Sequence, residues 1–392
     1  MGYTYRRRRS GPNWGLIVSL VLVAGAAAYF VPEYLNPRGV PPPLGSDAQP
    51  AAASAPVPAQ APASVDLNAR MPEAADLLAA GRWNDAAGLY ADIASASPGS
   101  AAAQAGWARA LVYGNKPTEA VEHAQKAADL EPRSAEYQAL LALAFDWSGN
   151  VDRAITSARR ATDLDPNLPE GQAELAEAYT DKFRLPDAEA ALNKAVAAGG
   201  ADNPEVLRVR AYLLETQADY AGAVDAYKHA IDRTPQRSYL YLSMGHALRA
   251  LKRNDDAIQA FQHAADLNPQ DARAEGGMGM AYYAMEEYDT ANSHLSRAVE
   301  IDPNYATGWG QLGWVFYVQK IYDKAQPYFE RAVELEKDPL RNATYRHALG
   351  WVYYNTKQYA KARQAFTKAL ELNPDLDGAR DGLQALDLVP SK

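Results

Sequence analysis

Residues 238–269 read SYLYLSMGHALRALKRNDDAIQAFQHAADLNP, and the pattern in this stretch decides the fold. The same arrangement of small and apolar residues restarts about every 34 residues along the chain. In every copy the eighth residue is Ala or Gly and the twentieth is Ala. Aligned on the closing proline, the copies begin at Leu67, Ala101, Ala135, Pro169, Pro204, Ser238, Ala272, Ala306 and Ala343.

Each copy contains two short helical patterns separated by a turn. Small residues at positions 8 and 20 allow two helix backbones to approach closely where they cross. The proline at position 32 cannot continue a helix and therefore ends the second one. Because one helix pair cannot bury its own apolar faces, neighbouring copies must stack. The pattern predicts an all-α solenoid.

The eighth copy carries the most complete set of marker residues, with Trp309, Leu312 and Phe316 in its first half and Ala325 and Phe329 in its second. This pattern resembles the tetratricopeptide repeat family, and the resemblance covers nine copies over residues 67–374. It implies a right-handed superhelix of nine helix pairs with a protein-binding role. Residues 375–392 follow, and we expect them to form a capping helix and a short tail.

The amino terminus has the composition of a membrane anchor. Residues 1–13 include four consecutive arginines, and residues 14–31, WGLIVSLVLVAGAAAYFV, carry no charge. A helix of this length spans roughly 27 Å, close to the hydrocarbon thickness of a bilayer. Basic residues before the span favour a cytoplasmic amino terminus, with the repeats on the extracytoplasmic side. A cleaved signal peptide is the alternative, and the protein would then be secreted. The apolar run continues to Val31, past the triplets of small residues that could serve as a cleavage site. This favours an uncleaved anchor.

Residues 32–66 are rich in Pro and Ala, with little charge and no periodicity. Such a segment cannot bury enough apolar surface to order itself, so we expect a disordered linker with extended polyproline conformations. At about 3.1 Å per residue, it could hold the repeats up to ~100 Å from the bilayer.

Composition argues against several classes of function. The net charge is −9, and because residues 1–40 carry +4, the remainder carries −13. An acidic solenoid is a poor nucleic-acid binder. Cysteine is absent, and the six histidines lack metal-ligand spacing. No catalytic motif occurs, and we interpret the many carboxylates as a solvated acidic surface. We therefore predict no enzymatic activity, no cofactor and no metal.

The family resemblance implies that positions 2, 5, 9, 12 and 13 of each first helix line a concave groove. In the carboxy-terminal half these positions are rich in aromatic residues and Arg, the usual anchors of a binding interface. The predicted protein-binding residues are Arg208, Tyr212, Tyr239, His246, Arg249, Arg273, Met280, Tyr283, Trp314, Tyr317, His347, Trp351 and Tyr354.

These observations predict a membrane-anchored, non-catalytic adaptor whose groove binds a partner protein or peptide in the assembly of an envelope or secretion complex. The alternative is binding of a glycan or a lipid headgroup, because Trp and Tyr faces also stack on sugars. Paired carboxylates beside the aromatic rings would favour the sugar hypothesis, and Glu275 and Glu286 are the candidates for that role.

Overall fold

A computed structural model of the protein describes residues 67–389. The predicted anchor at 14–31, the linker at 32–66 and the last three residues lie outside the described residues. Within residues 67–389 all regular structure is helical, with nineteen α-helices and two short 3₁₀ turns, Leu67–Arg70 and Gly200–Asp202. The helices are α1 Met71–Ala79, α2 Trp83–Ala96, α3 Ala101–Tyr113, α4 Pro117–Leu130, α5 Ala135–Trp147, α6 Val151–Leu164, α7 Pro169–Asp181, α8 Leu185–Ala197, α9 Pro204–Thr216, α10 Tyr220–Arg233, α11 Ser238–Ala250, α12 Asn254–Leu267, α13 Ala272–Ala284, α14 Tyr288–Ile301, α15 Ala306–Val318, α16 Tyr322–Leu335, α17 Pro339–Asn355, α18 Tyr359–Leu372 and α19 Asp377–Asp387.

Helices α1 to α18 form nine antiparallel pairs that stack in chain order, as the period predicts. Seven first helices begin at the predicted first residue of their repeat. The ninth begins earlier, at Pro339 instead of Ala343. Proline is favoured in the first turn of a helix, and the carboxylate of Asp338 caps the helix by accepting from the Arg341 amide at 2.8 Å. This lengthens α17 by one turn.

The predicted small residues lie where the two helices of each pair cross. Every Ala at position 20 is fully buried, and the residues at position 27 are nearly or fully so. At position 8, glycine replaces alanine in repeats six to nine, where the side chain at position 24 (Phe or Leu) packs directly against it. A Cβ on Gly245 would approach the Phe261 ring to 2.6 Å, and one on Gly350 would approach Phe366 to 2.5 Å. A large residue on one helix thus requires a residue without a side chain on the other.

The turn between the two helices of every repeat has one residue in the left-handed conformation, always at position 15. Gly81 and Gly149 supply it in two repeats. The other seven use residues with a Cβ at φ between 56° and 64°, namely Asn115, Phe183, Ala218, Lys252, Glu286, Lys320 and Lys357. In the fifth repeat, the Ala218 amide donates to the Glu215 carbonyl and the next amide donates to the Leu214 carbonyl, each at 2.9 Å. These are the two bonds of a Schellman cap, which satisfies carbonyls at the helix end.

Helix α19 packs against α17 and α18 at the end of the stack. Its two glycines permit the close approach. A Cβ on Gly382 would lie 2.3 Å from the Phe366 ring, and one on Gly378 would lie 2.5 Å from His347 Nε2. Beyond the helix, Leu388 is largely exposed. Among residues 67–389, no helix combines the length and apolar character that crossing a bilayer requires.

The left-handed turns predict that an Ala-to-Gly substitution has opposite effects on stability in a turn and inside a helix. Ala218→Gly should raise the free energy of unfolding by about 1 kcal/mol, because glycine adopts positive φ without the penalty of a Cβ. Ala190→Gly, at an exposed position inside α8, should lower it by about 1 kcal/mol, because glycine is a poor helix former. Urea unfolding of both variants measures the difference. Destabilisation by both would show that the left-handed conformation costs Ala218 nothing.

Candidate functional site

The first helices of neighbouring repeats contact each other, as α5 with α7 and α7 with α9 do. We call the side of these helices that carries positions 2, 5, 9, 12 and 13 the first-helix wall. These positions share one helix face, because they are separated by about one turn. The thirteen predicted residues all lie on this wall, but the structure divides them into two groups with different surroundings.

In the first group, Arg208 is only 5% exposed and lies at the centre of a buried ionic cluster. Its two terminal nitrogens each lie 2.6 Å from one carboxylate oxygen of Glu177 on α7. Its Nε donates to Glu205 at 2.8 Å. A bidentate guanidinium–carboxylate pair is among the strongest charge-assisted contacts in proteins. The pair fixes α7 against α9.

Glu205 links this cluster to more distant repeats. Its carboxylate also pairs with Arg237 and accepts from the Tyr113 hydroxyl at 2.9 Å. Burial by itself would raise the pKa of Glu205, but the charges of Arg237 and Arg208 and their hydrogen bonds lower that pKa to about 2. Glu205 is therefore ionised at neutral pH and holds side chains from the second, fifth and sixth repeats together.

Aromatic rings close the same region. Tyr113 of the second repeat stacks on Tyr239 of the sixth, with ring centroids 5.3 Å apart, although the two residues are far apart in sequence. The Trp147 ring meets Tyr239 edge-on at 5.4 Å, and its Nε1 donates to Glu177 at 3.3 Å. The first-helix wall of repeats two to five, together with Tyr239 at the start of repeat six, is thus filled by the chain's own side chains.

The buried ionic cluster has more carboxylates than cations. Asp146 Oδ1 and Glu174 Oε2 are buried, and each lacks a hydrogen-bond partner in the described part of the chain. Burial, and then repulsion from Glu177, raises the pKa of both carboxyl groups. Asp181, which accepts from the Tyr212 hydroxyl, has its pKa raised to about 6, first by burial. Tyr212, another predicted residue, is therefore also held by the chain itself.

The second group forms what we call the aromatic row, with two members on each of α13, α15 and α17. All its members are half-buried, and they are Met280, Tyr283, Trp314, Tyr317, Trp351 and Tyr354. The Trp314 ring packs edge-on against buried Phe329 at 5.2 Å, and Trp351 packs against Phe366 at 5.3 Å.

The three tyrosines of the aromatic row are held in the same way. Each meets, edge-on, a tyrosine at the start of the second helix of its own repeat, at 5.7–5.9 Å. One edge of each of these Trp and Tyr rings is fixed by the core, and part of each remains open to solvent.

His347 lies beside the aromatic row. Trp351 Nε1 donates to His347 Nε2 at 2.9 Å, which requires an unprotonated nitrogen at that position. Burial lowers the pKa of His347, in agreement with a neutral ring. The bond orients the Trp351 indole.

Three further predicted residues lie near the start of the aromatic row. Arg273 pairs with buried Asp271 at 2.6 Å. Arg249 forms no ion pair within residues 67–389, and its Nε is buried without a partner. Burial lowers the pKa of Arg249. His246 is exposed on the wall and meets Phe261 edge-on at 5.0 Å. Desolvation by the surrounding wall, and then the charges of Arg249 and Arg273, hold its pKa below the ordinary value.

The sequence pattern alone does not indicate the side chains that fill the wall from repeat two to Tyr239: Tyr113, Trp147, Glu174, Glu177, Glu205 and Arg237. The carboxylates predicted to form a solvated surface include Glu174, Glu177 and Glu205, and the structure buries all three. The available indication was the concentration of Glu and Asp at wall positions of repeats three to five, opposite Arg208. No group of histidines or carboxylates in residues 67–389 could hold a metal ion.

The excess carboxylates generate a prediction about pH. A carboxyl group whose folded pKa is raised stabilises the fold while it is protonated, and this contribution is lost as pH rises through the folded pKa. Glu174→Gln removes one such charge and keeps the side-chain shape. The variant should be more stable than the wild type by about 1–2 kcal/mol at about pH 8, and the difference should shrink toward about pH 5.5.

Urea unfolding at both pH values checks this. The variant must be compared with the wild type at each pH, because other groups also titrate. The pKa values of His123, His246 and His347 are lowered, so their contribution to stability changes with pH in the opposite direction. Asp163→Asn on an exposed helix face is the control and should change stability by less than about 0.5 kcal/mol. A Glu174→Gln variant that is less stable at about pH 8 would contradict the prediction.

Comparison with solved structures supports the same architecture. The APC/C hetero-tetramer Cut9–Hcn1 matches at a TM-score of 0.62 and 17% identity, over 77% of this chain and 58% of that one. The chain thus spans less than two thirds of that structure's length. The human IFIT1 dimer with m7Gppp-AAAA matches at 0.57 and 17% identity, over 83% and 82% of the two chains. At such identities the likeness shows the fold alone. Comparison with curated proteins gave no match.

Sequence profiles described as "Tetratricopeptide repeat" match residues 105–169, 174–238, 248–312 and 343–376. Together these matches cover more than half of the chain, and each falls within the stacked helix pairs. The chain therefore belongs to the tetratricopeptide repeat family.

Proposed function

We propose that this protein is a membrane-anchored, non-catalytic scaffold that binds a segment of a partner protein on the first-helix wall of repeats six to nine. The aromatic row is the observation that carries the proposal. Its rings recur on three consecutive repeats, and each stays partly open to solvent. Aromatic side chains that are fixed at one edge and exposed elsewhere bind a partner at little cost in conformational entropy.

The two halves of the wall support different roles. In repeats two to five, together with Tyr239 at the start of repeat six, side chains such as Arg208 are buried against the chain's own residues, so this part serves as a closed platform. In repeats seven to nine the rings of the aromatic row are not covered in this way. Ala250 and Ala284 have small side chains at wall position 13, and Val318 at the same position is 37% exposed. The concave groove that the family resemblance implies would lie here.

The alternative of glycan binding receives less support from the site. Glu275 is bound to His294 at 2.8 Å and to Arg297 at 2.9 Å, so it is not free to pair with a sugar beside the rings. Glu286 occupies a left-handed turn position, away from the face that carries the aromatic row. A protein segment therefore fits the described surface better than a sugar does.

The cellular setting that we propose rests on the amino-terminal sequence. Residues 14–31 would anchor the protein with its amino terminus in the cytoplasm, and residues 32–66 would hold the repeats away from the bilayer. A partner of the extracytoplasmic repeats would belong to an envelope or secretion complex. Nucleic acid is not proposed as a partner, because the chain carries a net charge of −9.

Site-specific photo-cross-linking tests the binding surface. A photoreactive phenylalanine analogue at Tyr317 should give a discrete adduct with a partner protein in cells that express the full chain. The same analogue at Phe183, which is 48% exposed in a turn of the fourth repeat, is the matched control and should give none. Adducts of equal yield at both positions, or none at Tyr317, would exclude the proposed surface.

Fractionation tests the anchor separately. The full chain should stay with the membrane pellet after an alkaline wash, because a span of about 20 apolar residues inserts stably into a bilayer. A chain that lacks residues 1–31 should appear in the soluble fraction with its helices intact by circular dichroism. Release of the full chain in processed form would instead favour the cleaved signal peptide.

A further inference from the structure

Charge is distributed unevenly along the first-helix wall. In repeats three to five, wall positions carry seven carboxylates, namely Glu136, Asp146, Glu170, Glu177, Asp181, Glu205 and Glu215. In repeats six to nine, the twenty corresponding positions carry none, and they include Arg249 and Arg273. This contrast is unexpected in a chain of net charge −9. The open half of the wall is thus the half from which negative charge is missing.

On the wall of repeats six to nine, Arg249 is the guanidinium that forms no ion pair with the described part of the chain. Arg208 is saturated by Glu177 and Glu205, and Arg273 is bound to Asp271. Arg249 has no ion pair in the described part, and its Nε is buried without an acceptor. A buried donor that lacks a partner destabilises the fold, because its lost hydration is not replaced. A carboxylate brought by a ligand would satisfy the guanidinium and gain from the low local dielectric.

We propose that the wall of repeats six to nine binds an acidic, apolar-rich segment of a partner protein, with a carboxylate side chain on Arg249 and apolar side chains on the aromatic row. This inference rests on the proposed function and specifies the chemistry of the partner.

The dimensions of the wall set the length of the segment. Neighbouring helices pack about 9 Å apart, so the first helices of four repeats span roughly 27 Å. An extended chain advances about 3.3 Å per residue, and about eight residues therefore cover the wall. A single-stranded nucleic acid of similar length also combines anions with stacking bases. It would need a cation for each of several phosphates, whereas in the described wall of repeats six to nine Arg249 is unpaired and Arg273 is already bound to Asp271.

Fluorescence anisotropy with designed probes tests the inference. The first probe is a labelled peptide of about eight residues in which Glu alternates with Leu and Phe. The second has Gln in place of each Glu, and the third is a single-stranded RNA of similar length. The full chain should bind the Glu peptide at least about tenfold more tightly than the Gln peptide. This preference should weaken as salt is added.

Variants locate the effect. Arg249→Gln should abolish the preference for the Glu peptide, and Arg249→Lys should retain part of it, because lysine keeps the charge but loses the forked donor. Arg253→Gln removes the same charge from the same repeat at a 50%-exposed position and should leave the preference unchanged. Circular dichroism shows whether Arg249→Gln retains its helices. If Arg249→Gln loses its helices, the test is whether Arg249→Lys retains part of the preference for the Glu peptide.

Three outcomes would overturn the inference: equal affinity for the Glu and Gln peptides, equal loss in the two Gln variants, or tighter binding of the RNA. Failure to bind either peptide would overturn it as well. The adduct at Tyr317 distinguishes this failure from failure of the proposed function. With the adduct present, the wall binds a partner of different chemistry; without it, the proposed binding surface is wrong too.

Discussion

The structure depends on how closely two helix backbones approach within each repeat. Alanine at position 20 is buried at every crossing, and alanine at position 27 is buried in every repeat but the first, which has Ile93; a larger side chain at position 20 would force the helices apart. Where the second helix carries Phe261, Phe329 or Phe366, the first helix has glycine at the facing position. Because each repeat buries its remaining apolar face only against its neighbours, one close crossing repeated nine times produces the whole stack.

A second interaction gives the regular stack two unlike halves. The Arg208–Glu177 pair and the contacts of Glu205 hold the wall closed from repeat two to Tyr239 at the start of repeat six, and Tyr113 stacks on Tyr239 across that region. Charges are costly to bury, and buried ion pairs rarely add stability in proportion to their contacts. The arrangement instead fixes which repeats meet. In repeats seven to nine, aromatic rings replace the carboxylates, and the wall remains partly exposed.

This asymmetry connects the fold to the proposed function. A closed half supplies a rigid platform, and a half-exposed aromatic row on the same stack supplies a surface for a partner. The rings of that row are already positioned by Phe329, Phe366 and the tyrosines behind them, so binding needs little reordering. In the proposed binding mode, the unpaired Arg249 would add a charge that selects among partners with apolar side chains. The proposed anchor and linker would determine where this surface meets its partner.

The sequence by itself determined the repeat. The period, the small residues and the closing prolines predict the nine helix pairs, because these features act within one repeat or between adjacent ones. All thirteen candidate residues lie on first helices of their repeats, and their role in binding stays a prediction. The sequence does not predict the left-handed turns, because only two of the nine have Gly at that position. Tertiary packing imposes the same conformation on residues such as Lys252 and Phe183.

Only the tertiary structure decided which wall residues face solvent. Arg208 and Tyr239 have the residue types of binding anchors, yet each is 5% exposed because side chains from distant repeats cover it. Tyr113 lies next to Glu205 and Tyr239 only after several repeats have stacked, and small rotations at each step add up over that distance. A pattern that is local in sequence does not specify the accumulated rotation between distant repeats. The division into a closed and an open half is therefore visible only in the tertiary structure.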